Sequence, residues 1–217
     1  MDRALHPSTF RGLLDMAWVV PTAPLSRRWF NGWGATRAEI AKPLPGDEIV
    51  PSPRLSYTRA ISIDAPPSAV WPWLVQIGQG RGGLYSYDGL ENLVGCELHS
   101  ADTILAEHQR LAVGDHVLFG PAEKNFPGQV VLDVIPQRAL VMCALHPETR
   151  LPERSATWVF VLEPEGAHGT RLLVRGRNGY ASGVPNHVAW HVVEPVAFVM
   201  ERRMLRGIKL RAERSVS

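Results

Sequence analysis

Between Gly114 and Arg177 the chain carries five β-rich runs: His116 to Phe119, Gln129 to Ile135, Ala139 to Leu145, Ser155 to Glu163 and Thr170 to Arg177. Each is bounded by Gly, Pro or Asp. The connections are too short for the dozen or more residues of a parallel crossover, so the runs pair as an antiparallel meander. In the fourth, Ala156, Trp158, Phe160 and Leu162 share one face and Ser155, Thr157 and Glu163 the other, the alternation of a half-buried strand. Leu55 to Ile63 alternates in the same way and supplies an earlier strand.

Helical segments flank the meander. Asp64-Ala65-Pro66-Pro67 places its prolines where a helix opens. That helix reaches about Ile77 with Val70, Trp71, Leu74 and Val75, and Pro72 inside it predicts a kink. A second short helix follows Ser86, with Ser86 or Asp88 as its cap, and Ser100 opens a third short segment through Leu105. Asn186 caps a long C-terminal helix over about 187–214. The expected class is α+β: a curved antiparallel sheet gripping one long helix, with an N-terminal extension. A helix across a curved sheet leaves room for a small-molecule cavity.

The chain divides into an arm, 1–54, expected to pack on the body, and a body, 55–217. Thr36 and Glu39 form a capping-box pattern, and Trp18, Trp29 and Trp33 are too much apolar area to leave in water. Residues 10 to 40 are therefore expected to dock, burying Trp29 and Trp33. A net charge of +2 gives no argument for a nucleic-acid partner. Cys96 and Cys143 suggest no disulfide framework. No apolar run reaches the roughly 20 residues of a transmembrane helix, and a cytoplasmic location is expected. A monomer or homodimer fits the sequence equally.

The run Ile63-Asp64-Ala65-Pro66-Pro67-Ser68-Ala69-Val70-Trp71, in this order of elements, resembles the SRPBCC superfamily, also called START-like or helix-grip. Trp71-Pro72-Trp73-Leu74-Val75-Gln76-Ile77-Gly78, followed by Arg81, Gly83, Tyr85, Ser86, Asp88, Leu90 and Glu91, is similar to a bacterial, largely actinobacterial, subgroup of it. The resemblance spans about 37–212. It implies the helix-grip fold and a cavity of the kind used by lipid-transfer proteins, hormone receptors and polyketide cyclases. No set of catalytic residues carries over.

The expected function is to bind or carry a small hydrophobic ligand, aromatic or polyketide-like, between walls that include Trp71, Leu74, Trp158, Phe160, Val192 and Val196, with Arg81 and Tyr85 as polar anchors. One alternative is a cyclase or dehydratase-like enzyme in the same cavity, for which Asp88, His99 and Tyr87 are the weak catalytic candidates. Another is a ligand-free interaction module whose groove the arm fills. No cofactor is expected. Gly78-Gln79-Gly80-Arg81-Gly82-Gly83 fits G-x-G-x-x-G but follows a helix, so it reads as a turn. His187, His191 and Glu194 have ligand-like spacing, yet a helical wheel puts them, with Glu201 and Lys209, opposite the apolar face, so no metal is expected. Arg171, Arg175 and Arg177 are expected on the solvent face of the last strand. Arg59 falls in the apolar phase of the first strand, where an arginine must be paired, meet an anion or snorkel out.

Overall fold

A computed structural model describes residues 7–146, 148–179 and 184–216, with side chains described from Thr9 in the first helix and from Val193 in the last. The elements run α1 (Pro7–Asn31), α2 (Arg37–Ala41), β1 (Leu55–Ile63), α3 (Pro67–Val75), α4 (Asp88–Leu93), β2 (His116–Leu118), β3 (Gly128–Ile135), β4 (Ala139–Leu145), β5 (Pro152–Glu165), β6 (Gly169–Asn178) and α5 (Val184–Arg214). The six strands form one sheet in the order β1-β6-β5-β4-β3-β2, antiparallel throughout. This is the α+β helix-grip arrangement. The segment from Ser100 to Leu105 is irregular, and a single 3-10 turn follows at Ala106–His108.

Side-chain alternation splits the sheet into two apolar faces. The inner face presents Ile63, Leu140, Met142, Phe160, Leu162, Leu172 and Val174 to α3 and to Met204, Leu205, Ile208 and Ala212 of α5. The outer face carries Ala60, Ala139, Val141, Val159, Val161 and Leu173, which pack against Leu44 and Ile49. Sheets with one wet face alternate apolar with polar. Here the chain before β1 supplies the cover on the other side.

That chain crosses the free edge of β1. Trp33 O accepts the Ala60 N–H at 3.0 Å, pairing a backbone donor of the edge strand. Gly34 has a φ of +72°, and a Cβ on it would stand 2.0 Å from Ala60 O. The arm then lies on the outer face, held by arginines of β6. Arg171 makes a bidentate pair with Glu39, Nε to Oε1 at 2.7 Å and Nη2 to Oε2 at 3.0 Å. Arg175 donates to the carbonyls of Glu39, Ile40 and Lys42 at 2.8–3.0 Å and so satisfies the orphan acceptors at the end of α2. Arg177 donates to Val50 O at 2.8 Å and Pro51 O at 3.0 Å.

These contacts correct the expectation of a solvent-facing arginine row: Arg175 is buried, because the arm adds a layer that strand alternation does not reveal. The capping box at Thr36 forms as read. Earlier in the arm, α1 packs along α5, with Val19, Ala23 and Phe30 against Phe198 and Val199. Phe30 is the buried anchor. Trp33 is partly buried, whereas Trp29 stays half-exposed although its ring meets Phe198 edge-on at 5.3 Å.

Gly34→Ala should destabilise the protein by about 2 kcal/mol or more, because a left-handed backbone and a clash with a backbone oxygen combine. Gly80 shares the positive φ, at +69°, but has open space around its Cβ position. Gly80→Ala should therefore cost only about 1 kcal/mol. Urea unfolding of the two variants measures the difference.

Candidate functional site

The inner face is sealed by core packing except where residues are small or aromatic. One cross-strand row reads Tyr57 on β1, Gly176 on β6, Trp158 on β5 and Met142 on β4. A Cβ at Gly176 would meet the Tyr57 ring at 2.4 Å, so the glycine lets that ring lie over β6. Trp158 stacks edge-on against Phe160 at 4.6 Å and Phe119 at 5.6 Å between centroids. Tyr57, Phe119 and Trp158 are only partly buried. Together they form an aromatic cluster at this end of the inner face.

A carboxylate from α5 ties this cluster together. Glu201 Oε1 accepts from Tyr57 Oη at 3.0 Å and from Trp158 Nε1 at 2.8 Å, and Oε2 accepts from Arg59 at 2.5 Å. Arg59 also donates its Nε to Phe30 O at 2.9 Å and lies 4.0 Å from the centroid of the Tyr57 ring. Burial, reinforced by the Glu201 carboxylate, raises the Tyr57 hydroxyl well above the ordinary tyrosine range. Both oxygens of Glu201 and the Arg59 charge are thus committed to each other and to fixed donors. The cluster is aromatic, and its ion pair is satisfied internally.

The residues singled out from sequence fall in several places. Leu74, Tyr85 and Phe160 lie in one buried cluster, with Trp71 and Trp158 packed on it. Val196 is half-buried on α5, and the Val192 side chain lies outside the described residues. The Tyr85 hydroxyl donates to Trp73 O at 3.0 Å. Arg81 spends Nη2 on Val75 O at 3.0 Å and His108 O at 3.1 Å, tying the end of α3 to the 106–108 turn. Burial lowers its pKa. Asp88 accepts from the Ser100 backbone and hydroxyl, both at 2.6 Å. Tyr87 donates to Asp15 of α1 at 3.0 Å, and His99 is exposed.

The glycine-rich turn closes on itself, Gly78 N to Gly83 O at 2.9 Å and Gly83 N to Gly78 O at 3.0 Å, so these amides are not offered to a phosphate. Of the spaced triplet on α5, the His187 and His191 side chains lie outside the described residues. Glu194 is buried, bonded to Arg27 at 2.7 Å and Asn31 at 2.7 Å, and Glu201 is buried as well. The solvent-facing assignment of both glutamates is corrected: α1 covers the Glu194 side of α5, and Glu201 faces the sheet, held by Tyr57, Arg59 and Trp158.

Two clefts are described, and neither lies between α5 and the sheet, where the cavity was expected and where Met204, Leu205, Ile208 and Ala212 pack on the inner face. One of about 320 Å³ opens between α3 and the sheet, lined by Trp71, Val75, Gln109, Leu111 and Val134 among others. Another of about 580 Å³ lies where the arm meets the sheet, beside Leu44, Ile135, Val161 and Glu163. Tyr57, Phe119 and Glu201 were not singled out as site residues from sequence. The available signal was Arg59, a charge in the apolar phase of β1, which requires a buried acid nearby.

No protein-family model and no curated protein sequence matches this chain. Among solved structures, it is similar to the Polyketide_cyc-like protein Cgl2372 from Corynebacterium glutamicum, at 16% identity over 75% of this chain and 93% of that one, TM-score 0.38. It is also similar to protein MLL2253 from Mesorhizobium loti, at 15% identity over 74% and 98%, TM-score 0.41. DynU16, from the dynemicin biosynthetic locus, aligns at 18% identity over 70% of this chain and 46% of that one, TM-score 0.40. Likeness at this level carries no argument about function.

Glu201→Gln should cost about 3–5 kcal/mol, because it leaves Arg59 charged in the interior without a carboxylate. The double variant Arg59→Met/Glu201→Met should recover most of that loss in chemical denaturation. A second expectation concerns Glu91 of α4, whose Oε2 is buried with no hydrogen-bond partner. Burial, with Asp88 adding to it, raises this carboxyl from 4.5 to about 8. A folded pKa above the unfolded one means that the folded state holds the proton more tightly. The associated stability is complete below about 4.5 and is lost as pH rises through about 8. The wild-type Tm should fall between pH about 5 and about 9, and Glu91→Gln should flatten the fall.

Proposed function

We propose that the protein binds and carries a small hydrophobic ligand, most readily an aromatic one, at the aromatic cluster of Tyr57, Phe119 and Trp158. The observation that supports this reading most is the row of half-buried rings on an otherwise packed inner face. Aromatic walls with a few fixed polar groups are the usual make-up of such sites. Trp158 and Phe160 serve as walls. Trp71 and Leu74 support the far end of the same core.

Carriage is favoured over turnover. A general base needs a free, reachable oxygen or nitrogen. Asp88 is engaged with Ser100 and Tyr87 with Asp15, and both oxygens of Glu201 accept hydrogen bonds from fixed donors. The reading in which the arm plugs the groove has less support, since the described part of the arm packs on the outer face of the sheet and against the α1-facing side of α5.

The test begins with native mass spectrometry of freshly purified protein, seeking a co-purified small molecule. Fluorescence titration with 1-aminoanthracene follows. Trp158→Ala should weaken probe binding by about tenfold, the scale of one lost aromatic contact. Trp71→Ala should leave it within a factor of about three. The reverse pattern would place the ligand in the α3 cleft, and no saturable binding with no co-purified molecule would sink the proposal.

A further inference from the structure

Helix α1 is apolar on two sides. At 3.6 residues per turn, Thr9, Gly12, Val19, Ala23 and Phe30 form the buried face toward α4 and α5. On the opposite side, Phe10, Leu14, Trp18, Pro21, Leu25 and Trp29 fall within an arc of roughly 100°. All six are exposed, Trp18 at 72% and Leu25 at 93%. Single exposed apolar residues are ordinary, but a continuous ridge of large ones on one helix face marks a contact surface.

Charge identifies the contact. The only acidic residue of α1 is Asp15, and it is consumed by Arg202 at 2.8 Å and by the Tyr87 hydroxyl. Arg28 and Arg11 lie at the two margins of this arc, both exposed. Arg206 of α5 is exposed at the seam with α1, over the Trp33 ring at 5.6 Å. A second copy of this surface fits poorly. Antiparallel α1 pairing would bring Arg11 toward Arg28, and parallel pairing would set each arginine against itself. Two tryptophans, a phenylalanine and leucines flanked by arginines match a helix lying in the headgroup layer of a bilayer, where long cationic side chains reach the phosphates. No described helix is long and apolar enough to cross a membrane.

We propose that the protein docks peripherally on anionic lipid bilayers through the outward ridge of α1, with the helix parallel to the surface.

The test is flotation of the full chain with vesicles of phosphatidylglycerol and phosphatidylcholine, and with vesicles of phosphatidylcholine alone. Binding is expected to the anionic vesicles and to fall with added salt. Leu14→Glu/Leu25→Glu should weaken it by about tenfold or more, and Arg11→Glu/Arg28→Glu by a similar factor. All four side chains are exposed, so the Tm should hold. Should a variant misfold, quenching of wild-type tryptophan fluorescence by brominated lipid decides the matter without it: quenching that falls with Trp18→Phe and is lost with Trp18→Phe/Trp29→Phe supports docking by the ridge, and quenching unchanged by both refutes that. Absence of binding to anionic vesicles overturns the proposal. So does binding untouched by the ridge variants, or a concentration-dependent dimer that those variants abolish in a protein that ignores vesicles.

Discussion

Arg59 is the residue on which the arrangement of elements turns. It stands on the inner face of the edge strand β1, buried, where an unpaired guanidinium would be severely destabilising. Its donors reach Glu201 of α5 and Phe30 O near the end of α1, and its face meets the Tyr57 and Phe198 rings. One side chain therefore sets the position of α5 over the sheet and of α1 over α5. A buried ion pair is weak evidence for net stability, but it discriminates strongly against placements that break it. Sliding α5 by one turn would strand both charges, which suits a device that holds a long helix in one register.

The same pair organises the aromatic cluster. Glu201 is held on the inner face by Arg59, and there it takes the polar edges of Tyr57 and Trp158. Those rings need a small neighbour between them, and Gly176 provides it. The polar atoms are satisfied internally, which leaves apolar contact as the main way a guest can gain free energy there.

The N-terminal arm is a structural layer in its own right. It threads from α5, across the β1 edge at Trp33 and Gly34, to the outer face of the sheet. There three arginines of β6 hold backbone carbonyls that lack partners within the arm. The carbonyls are fixed acceptors along one strand's length and the arginines recur every second or fourth residue, so the clamp follows from strand periodicity. Because α1 is buried on one side by α5, its apolar residues on the other side remain at the surface.

Much of the fold was readable in the sequence because its signals are local. Alternation in Leu55–Ile63 and Ser155–Glu163, prolines at the start of α3, the Thr36 capping box and the long apolar repeat before Arg214 each depend on neighbours a few residues away. The charge of Arg59 in an apolar phase was legible too, as a demand for a partner. Which partner met it was not, since Glu201 lies 142 positions along the chain. For the same reason Glu194, Glu201 and Arg175 looked solvent-facing: periodicity shows how many faces a helix or strand has, not how many are covered. By itself the sequence determined the six strands, helices α2 to α5, their order and the antiparallel sheet, all governed by backbone geometry and short-range patterning, but not the 25-residue α1. Only the tertiary structure decided that α5 is covered by α1 as well as by the sheet, and that Tyr57 and Trp158 meet at Glu201, because burial and ion pairing depend on what distant segments bring to the same place.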